Sequence, residues 1–135
     1  MRMFPIHDLF VKPLVREATP AGWRLPVLRY ADHLLRRFGL AEELELEAGQ
    51  ALGPQLRLVA DEVWALVEGR AEFTWEDRRP GSPTLGSRHS LRCEQPTLVL
   101  APFGVAFGCQ AMEGPARLIR LASHALDEID DLGTP

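Results

Sequence analysis

Short segments of alternating hydrophobic and polar residues, separated by Gly, Pro and polar turns, follow one another from residue 43 onward. Such alternation is typical of strands, because successive side chains point to opposite faces of a sheet. No segment between Gly49 and Gly114 suggests a helix, so we expect a mainly β sandwich or barrel and not an alternating α/β fold. The pattern predicts eight strands: Glu43–Glu47, Gln55–Val59, Glu62–Val67, Ala71–Glu76, Arg88–Arg92, Thr97–Ala101, Val105–Ala111 and Ala116–Ala122.

The first third of the chain is expected to be irregular because prolines interrupt it. These are Pro5, Pro13, Pro20 and Pro26. One short helix is predicted there, over Tyr30–Phe38. Leu34, Leu35 and Phe38 recur at helical spacing, and Gly39 can end the helix in a left-handed conformation.

The 135 residues have the length of one domain. We divide the chain into an N-terminal arm with the short helix (residues 1–42), a β-barrel (residues 43–124) and a C-terminal tail (residues 125–135). The tail is acidic, because it carries Asp127, Glu128, Asp130 and Asp131. It is predicted to be a short helix or a frayed end.

Composition indicates the class of protein and excludes several partners. Hydrophobic residues make up 46% and charged residues 25% of the chain, as in a soluble globular protein. The longest apolar runs are too short to cross a bilayer, and the N-terminus has no secretion signal, so we predict a cytoplasmic protein without a membrane partner. The net charge of −4 and the scattered basic residues also argue against a nucleic-acid partner.

The predicted strand Gln55–Val59 raises a question about its polar face. Alternation places Gln55, Arg57 and Val59 on one face and the intervening leucines on the other. The polar face can be exposed to solvent, as on any half-exposed strand, or it can line a pocket. Alternation alone leaves both interpretations open.

The residues around this strand resemble two motifs of the cupin superfamily. Gly49, Gln55, Arg57, Glu62 and Gly69 have the spacing of the first motif, in which His-x-His stands where this chain has Gln-x-Arg. The second motif is matched by Pro102, Gly104 and Phe107, again with its histidine replaced. The resemblance implies a single-domain cupin jelly-roll barrel. It also implies that Gln55, Arg57 and Glu62 face the cavity.

The segment DRRPGSPTLG, Asp77 to Gly86, resembles a narrower signature, that of the dTDP-4-dehydrorhamnose 3,5-epimerases. Seven of its ten positions match, including Asp77, Arg79 and the Gly-Ser-Pro-Thr run. Asp77 is expected to pair with Arg79, and the Ser and Thr hydroxyls to bond nearby backbone. The signature can serve the ligand site, or it can be a structural turn only.

The epimerases that this chain resembles use a histidine base and a tyrosine to move protons next to a keto group. This chain has no histidine between Gly49 and Glu62, and Arg120 falls about where that family has a tyrosine. Tyr30 is the only tyrosine, on the predicted helix. Proton abstraction needs a base within hydrogen-bond reach of the carbon, and Glu62 is the only inward candidate.

The cupin metal site is not expected here, and no other cofactor is predicted. Where that site needs three imidazoles and a carboxylate, the spacing offers an amide, a guanidinium, a carboxylate and a phenyl ring. Arginine repels a cation because its charge is permanent. What remains suits a small-molecule ligand, and the predicted binding residues are Gln55, Arg57, Glu62, Trp64, Phe107 and Arg120.

These observations lead to one prediction and two alternatives. We predict an epimerase-related cupin with a degenerate active site that binds a nucleotide sugar or a similar metabolite. The first alternative is an active nucleotide-sugar epimerase or isomerase with Glu62 as the base. The second is a ligand-free structural dimer with a packed interior, and the resemblance implies a homodimer paired through edge strands.

Overall fold

The computed structural model describes residues 6–125, so the acidic tail predicted from residue 125 lies outside the described residues except for Ala125. This part of the chain contains no helix with the length and hydropathy of a membrane span. It forms eleven strands: β1 (Val11–Pro13), β2 (Glu17–Thr19), β3 (Gly22–Arg24), β4 (Leu40–Leu46), β5 (Ala51–Gln55), β6 (Glu62–Glu68), β7 (Ala71–Asp77), β8 (Arg88–Cys93), β9 (Thr97–Ala101), β10 (Val105–Ala111) and β11 (Ala116–Ala122).

The strands form two open antiparallel sheets and one separate hairpin. The five-stranded sheet has the order β1-β9-β6-β11-β4, and the four-stranded sheet has the order β5-β10-β7-β8. Strands β2 and β3 pair only with each other. The prediction of a mainly β, single-domain fold is confirmed, whereas the closed barrel is wrong. The edge strands of the two sheets do not pair with one another in the described residues, so the fold is a sandwich.

The core between the sheets is built around aromatic rings. Phe107 of β10 lies 5.5 Å from Trp64 of β6, 5.6 Å from Trp75 and 5.8 Å from Phe73 between ring centroids, the last two residues being on β7. Smaller buried residues of both sheets, such as Val99, complete this core. Rings at these separations add to the burial of their apolar area.

The outer face of the five-stranded sheet is covered by the N-terminal segment. Val63 and Ala65 of β6 are fully buried on this face, where Leu14 and the partly buried Leu34 and Leu35 pack against them. Strand β6 is thus covered on both sides, which explains why its sequence EVWALVE is nearly continuous in apolar residues.

The predicted helix over Tyr30–Phe38 is wrong. The structure has a single 3-10 turn, Tyr30–Asp32, which ends at His33 in a left-handed conformation with φ 52°. Tyr30 is 93% exposed and Phe38 67% exposed, so the apolar residues form no buried helical stripe. Asp32 stabilises the turn, because its carboxylate accepts the Arg29 N–H and pairs with Lys12 at 3.0 Å. The leucines that suggested a helix cover the sheet without one.

The strand predictions are most accurate in the C-terminal half of the sandwich. Thr97–Ala101, Val105–Ala111 and Ala116–Ala122 are confirmed at both ends. Gln55–Val59 is wrong, because strand β5 ends at Gln55 and the following residues form a loop. That loop leaves the sheet after the pair Phe107↔Gln55.

Truncating Phe73 tests the aromatic core. Phe73→Ala is expected to lower the free energy of unfolding by about 3–5 kcal/mol, because it opens a cavity between the sheets. Tyr30→Ala, at a position that is 93% exposed, is the control and should change it by less than about 0.5 kcal/mol. Urea denaturation followed by circular dichroism measures both values. Equal losses in the two variants would contradict the packing described here.

Candidate functional site

The six predicted binding residues come together at one end of the sandwich, although they lie far apart in sequence. Strand pairing explains part of this convergence: on adjacent strands β11 and β6, Arg120 is opposite Trp64 and Ala122 is opposite Glu62. The four-stranded sheet supplies Phe107 and, at the end of β5, Gln55. All of them except the exposed Gln55 are buried: Arg57, Glu62, Trp64, Phe107 and Arg120.

The carboxylate of Glu62 is the centre of the cluster. Its Oε2 accepts a hydrogen bond from Arg120 Nη1 at 3.0 Å and a longer one from Arg57 Nε at 3.4 Å. Its Oε1 accepts one from Trp64 Nε1 at 3.1 Å. Three donors therefore surround one buried carboxylate, and two of them are guanidinium groups. Charge-assisted hydrogen bonds of this kind are stronger than neutral ones.

Arg57 connects the buried cluster to the protein surface. Its Nη2 donates to Gln55 Oε1 at 2.8 Å, and Gln55 itself is exposed. The backbone carbonyl of Arg57 accepts the N–H of Gly104 at 2.7 Å, which fixes the loop after β5 against the loop before β10. Of the polar residues in the predicted strand Gln55–Val59, Arg57 thus points inward and Gln55 reaches solvent.

Arg120 has a second acidic neighbour, Glu42 of β4, which the sequence analysis missed. Arg120 Nε and Glu42 Oε2 are 2.9 Å apart, but the N–H does not point at the oxygen, so the contact is an ion pair without hydrogen-bond geometry. The predicted strand began at Glu43, whereas β4 begins at Leu40. Extending the alternation backward from Leu46 and Leu44 would have placed Glu42 on the inward face.

An aromatic wall faces the charged groups. Trp64 is held by its indole hydrogen bond to Glu62 and lies 5.5 Å from Phe107. The Arg120 guanidinium lies 5.9 Å from the Trp64 ring centroid. Trp64 and Phe107 are only 3% and 6% exposed, so this wall is part of the packed core and supports the charged groups from inside.

Tyr30, His33 and His89 lie apart from the Glu62 cluster. His33 and Tyr30 are exposed on the N-terminal segment, and His89 stacks on Trp75 at 5.4 Å instead of joining the Glu62 cluster. In residues 6–125, no group of three His, Cys, Asp or Glu side chains is arranged to hold a metal ion. The guanidinium and amide groups of the cluster are donors that can bind polar or anionic groups.

The signature segment forms a second buried carboxylate cluster at the same end of the sandwich. Asp77 is fully buried at the end of β7, and the expected pair with Arg79 is present at 2.9 Å. The hydroxyls of Ser82 and Thr84 bond the Asp77 carboxylate, at 2.5 Å and 2.6 Å, and not only the backbone as expected. Burial alone would raise the pKa of Asp77, but the donors of Arg79, Ser82 and Thr84 outweigh it and hold that pKa far below its ordinary value.

This second cluster also fixes the loops around it. Arg79 Nη2 donates to the backbone carbonyl of His7 at 2.7 Å, and the His7 N–H donates to Thr84 at 2.9 Å. Gly104, with φ 81°, lies so close that an added Cβ would be 2.4 Å from Arg79 Cγ. The same Gly104 binds the Arg57 carbonyl, so the signature segment supports the loop that carries Arg57.

A surface cleft of about 470 Å³ lies against the loop that carries Arg57, although Arg57 itself does not line it. The side chains of Leu56 and Leu58, which flank Arg57 in sequence, line it together with Phe103. Arg78 and Arg79 of the signature segment form its basic side. The cleft was not predicted, because it lies between three loops whose relative positions are set only in the folded chain.

Replacing Asp77 tests the second cluster. Asp77→Asn is expected to lower the free energy of unfolding by roughly 2–4 kcal/mol at pH 7, because the partly buried Arg79 loses its main counter-charge. Since folding lowers this pKa, the Asp77 charge stabilises fully above the ordinary value of 3.8 and progressively less as pH falls below it. As the pH falls below 3.8, the free energy of unfolding should therefore decrease less in the variant than in the wild type.

Urea denaturation at a series of pH values measures this effect. Glu113→Gln, which removes a carboxylate whose side chain is 80% exposed, is the control and should leave both quantities nearly unchanged. An Asp77→Asn variant as stable as the wild type at pH 7 would show that the buried network contributes little.

The chain is similar in sequence to a curated protein and in fold to several solved structures. No protein-family model matches the sequence. The chain is 27% identical over 135 residues to the spore coat polysaccharide biosynthesis protein SpsL of Bacillus subtilis, with 96% of this chain and 89% of that protein covered.

Solved structures with the same fold are dTDP-sugar epimerases and isomerases. A dTDP sugar isomerase from Desulfovibrio desulfuricans superposes with a TM-score of 0.81 at 19% identity, covering 92% of this chain and 82% of that one. The Streptomyces spheroides 4-keto-6-deoxy sugar epimerase NovW gives 0.77 at 23% identity, covering 92% and 67%. A dTDP-4-dehydrorhamnose 3,5-epimerase from Elizabethkingia anophelis gives 0.77 at 16% identity, covering 92% and 73%. The chain therefore has the RmlC-like cupin fold of the dTDP-sugar epimerases and isomerases.

Proposed function

We propose that this protein binds a nucleotide sugar, or a similar sugar metabolite, without epimerising it. The observation that carries the proposal is the cluster of Arg57, Glu62 and Arg120, which occupies the interior position where the resembled enzymes are expected to hold their acid and base groups. The cluster keeps donors for a ligand but offers no free base. The similarity to a spore coat polysaccharide biosynthesis protein supports a role in making a sugar polymer.

The geometry argues against Glu62 as a catalytic base. A base must present a lone pair to the proton that it removes, within hydrogen-bond distance of the carbon acid. Both oxygens of Glu62 already accept hydrogen bonds, from Arg57 and Arg120 on one side and from Trp64 on the other. Removing a proton would require breaking these bonds inside a buried site, where each is costly to lose.

The geometry favours binding because donors and apolar surface remain available. In residues 6–125, Nη1 of Arg57 and Nη2 of Arg120 have no hydrogen-bond partner, and Gln55 is exposed at the surface end of the cluster. The neighbouring cleft can hold a nucleotide, with Phe103 as an apolar wall and Arg78 as a cation. Solved relatives of this fold hold dTDP, dTDP-quinovose or dTDP-D-xylose.

The proposal includes a homodimer in the cytoplasm. Both main sheets are open, and an edge strand with unpaired backbone groups is favourably covered by a second copy. The two cysteines, Cys93 and Cys109, are buried thiols, as expected in a reducing compartment. A ligand-free structural dimer is the second candidate, favoured by the close packing of Phe107 on Trp64 and Phe73.

Thermal unfolding with nucleotide sugars distinguishes the two candidates. A binder should melt roughly 5–10 °C higher with dTDP-glucose at about 100 times its Kd, because only the folded state binds. The shift should disappear in Arg57→Ala and persist in Arg24→Ala, which removes an exposed guanidinium on the separate hairpin. No shift with dTDP-glucose, UDP-glucose or other nucleotide sugars would favour the structural dimer.

Isotope exchange tests for epimerase chemistry. We expect no deuterium at carbons 3 and 5 of dTDP-4-keto-6-deoxyglucose after incubation with the protein in deuterated water, because a suitable base is missing. The Mycobacterium tuberculosis rmlC epimerase, which shares the fold, is the positive control. Incorporation by the wild-type protein that is lost in Glu62→Gln would instead establish the active epimerase with Glu62 as its base.

A further inference from the structure

We infer that the acidic segment of residues 126–135 docks in the surface cleft between Leu58 and Phe103 of the same chain. The segment lies outside the described residues, and its sequence is complementary to the cleft that they form. The cleft combines exposed apolar side chains with guanidinium groups, whereas the segment combines apolar side chains with carboxylates. Docking itself is independent of the proposed function, and only its consequence for ligand binding depends on that function.

The cleft exposes apolar surface that a folded chain usually buries. Leu58 is 58% exposed and Phe103 is 44% exposed, and both line the cleft together with Leu56. Val59, the residue after Leu58, is 40% exposed. Exposed apolar residues that lie together usually mark a surface that another segment or molecule covers.

Of the two arginines that line the cleft, Arg78 is the one with charge to offer. Arg79 is already held by Asp77 at 2.9 Å and lies 3.6 Å from Asp8. The side chain of Arg78 is 37% exposed, and its Nη1 lies 4.0 Å from Oε1 of Glu76. An exposed ion pair of this length contributes little, so Arg78 can attract a further carboxylate.

A third arginine, Arg36, stands beside the apolar wall. Its side chain is 50% exposed, and its guanidinium carbon lies 5.6 Å from the centroid of the Phe103 ring. It donates a hydrogen bond to the carbonyl of Val59, and its Nε lies 3.9 Å from Asp61. Apolar surface and partly exposed cations therefore occur side by side at this end of the sandwich.

Segment 126–135 has the complementary composition. Its acidic residues are Asp127, Glu128, Asp130 and Asp131. The chain has 19 acidic and 15 basic residues, so its other residues are formally neutral once these four are set aside. Leu126, Ile129 and Leu132 lie between and beside the acidic pairs. The carboxylates can thus approach the arginines while the apolar side chains remove the surface of Leu58 and Phe103 from water.

The segment begins close to the cleft. Ser123 Oγ accepts the N–H of Asp61 at 2.9 Å, and Asp61 Oδ1 accepts the N–H of Phe103 at 3.0 Å. Two hydrogen bonds therefore connect the residue after β11 to the cleft wall. Because an extended chain spans about 3.3 Å per residue, the four residues from Ala125 to Ile129 can bridge roughly 13 Å.

Docking has a consequence for ligand binding that rests on the proposed function, which places a nucleotide in this cleft. The carboxylates of the segment and the diphosphate of a nucleotide sugar are both anions that Arg78 attracts. The docked segment therefore competes with the ligand. The apparent affinity falls by the fraction of chains in which the cleft is open.

Disulfide trapping tests docking without any ligand. A chain with Leu58→Cys and Ile129→Cys should form the bond under mild oxidation roughly tenfold or more faster than one with Val15→Cys and Ile129→Cys, because docking raises the effective concentration of the two thiols. Val15 is a matched control, since it is 67% exposed and lies beside Glu68, at the opposite end of β6 from Asp61.

Non-reducing electrophoresis and peptide mass mapping identify the bond that forms. The native thiols do not compete, because both are buried and burial raises the pKa of Cys109 to about 12. A bond within one chain supports the inference. Equal rates for the two cysteine pairs, or a bond that forms only between two chains, would overturn it.

Charge variants test the attraction between the segment and the arginines. In the Leu58→Cys, Ile129→Cys chain, Arg78→Glu should slow trapping severalfold, and so should replacement of the four acidic residues of the segment by their amides. Arg24→Glu on the separate hairpin is the control and should leave the rate unchanged. Circular dichroism checks that each variant is folded. Trapping that is as fast in both charge variants as in the control would contradict the proposed docking.

Calorimetry with dTDP-glucose tests the competition. The variant with the four amides should bind dTDP-glucose severalfold more tightly than the wild type, and equal affinities would refute the competition. If trapping succeeds and neither protein binds a nucleotide sugar, the proposed function fails and docking stands. If dTDP-glucose binds and trapping fails, docking fails and the proposed function stands.

Discussion

The structure of this protein depends at one end on the Glu62 carboxylate and the three donors that surround it. Arg57, Arg120 and Trp64 come from a loop and two strands, and each finds its hydrogen-bond partner only at Glu62 or its immediate neighbours. Removing Glu62 would leave the buried Trp64 N–H without its partner and take a counter-charge from both guanidinium groups, which costs more than the contacts themselves contribute. This constraint determines what the interior can bind and which chemistry it lacks.

A second buried carboxylate, that of Asp77, is likewise surrounded by hydrogen-bond donors. Asp77 gathers Arg79, Ser82 and Thr84 of the signature segment, and Arg79 in turn holds the N-terminal residue His7. Gly104 contacts Arg79 on one side and Arg57 on the other. The signature therefore has a clear structural role in this chain, and its ligand role rests on the cleft that it helps to form.

The residues predicted to bind a ligand lie together in the structure, and their binding role stays a prediction. The resemblance to the cupins and epimerases implied that Arg57, Glu62 and Phe107 face one interior, with Arg120 near the position of a family tyrosine. The sequence pattern alone left this open. It missed Glu42, since the start of β4 was placed three residues late. It also failed for Tyr30–Phe38, where Leu34 and Leu35 mimic helical periodicity while packing as irregular chain on the five-stranded sheet.

The sequence by itself determined the strands from residue 62 onward and the absence of histidine from the cupin motifs. Both follow from the order of side chains along the chain, because successive side chains of a strand alternate between the two faces of the sheet. Only the tertiary structure decided that the two sheets stay open and that Arg57 and Arg120 donate to one oxygen of Glu62. It also decided that a cleft forms at the loop that carries Arg57. Those features depend on distances between residues as far apart as Arg57 and Arg120, which no local pattern encodes.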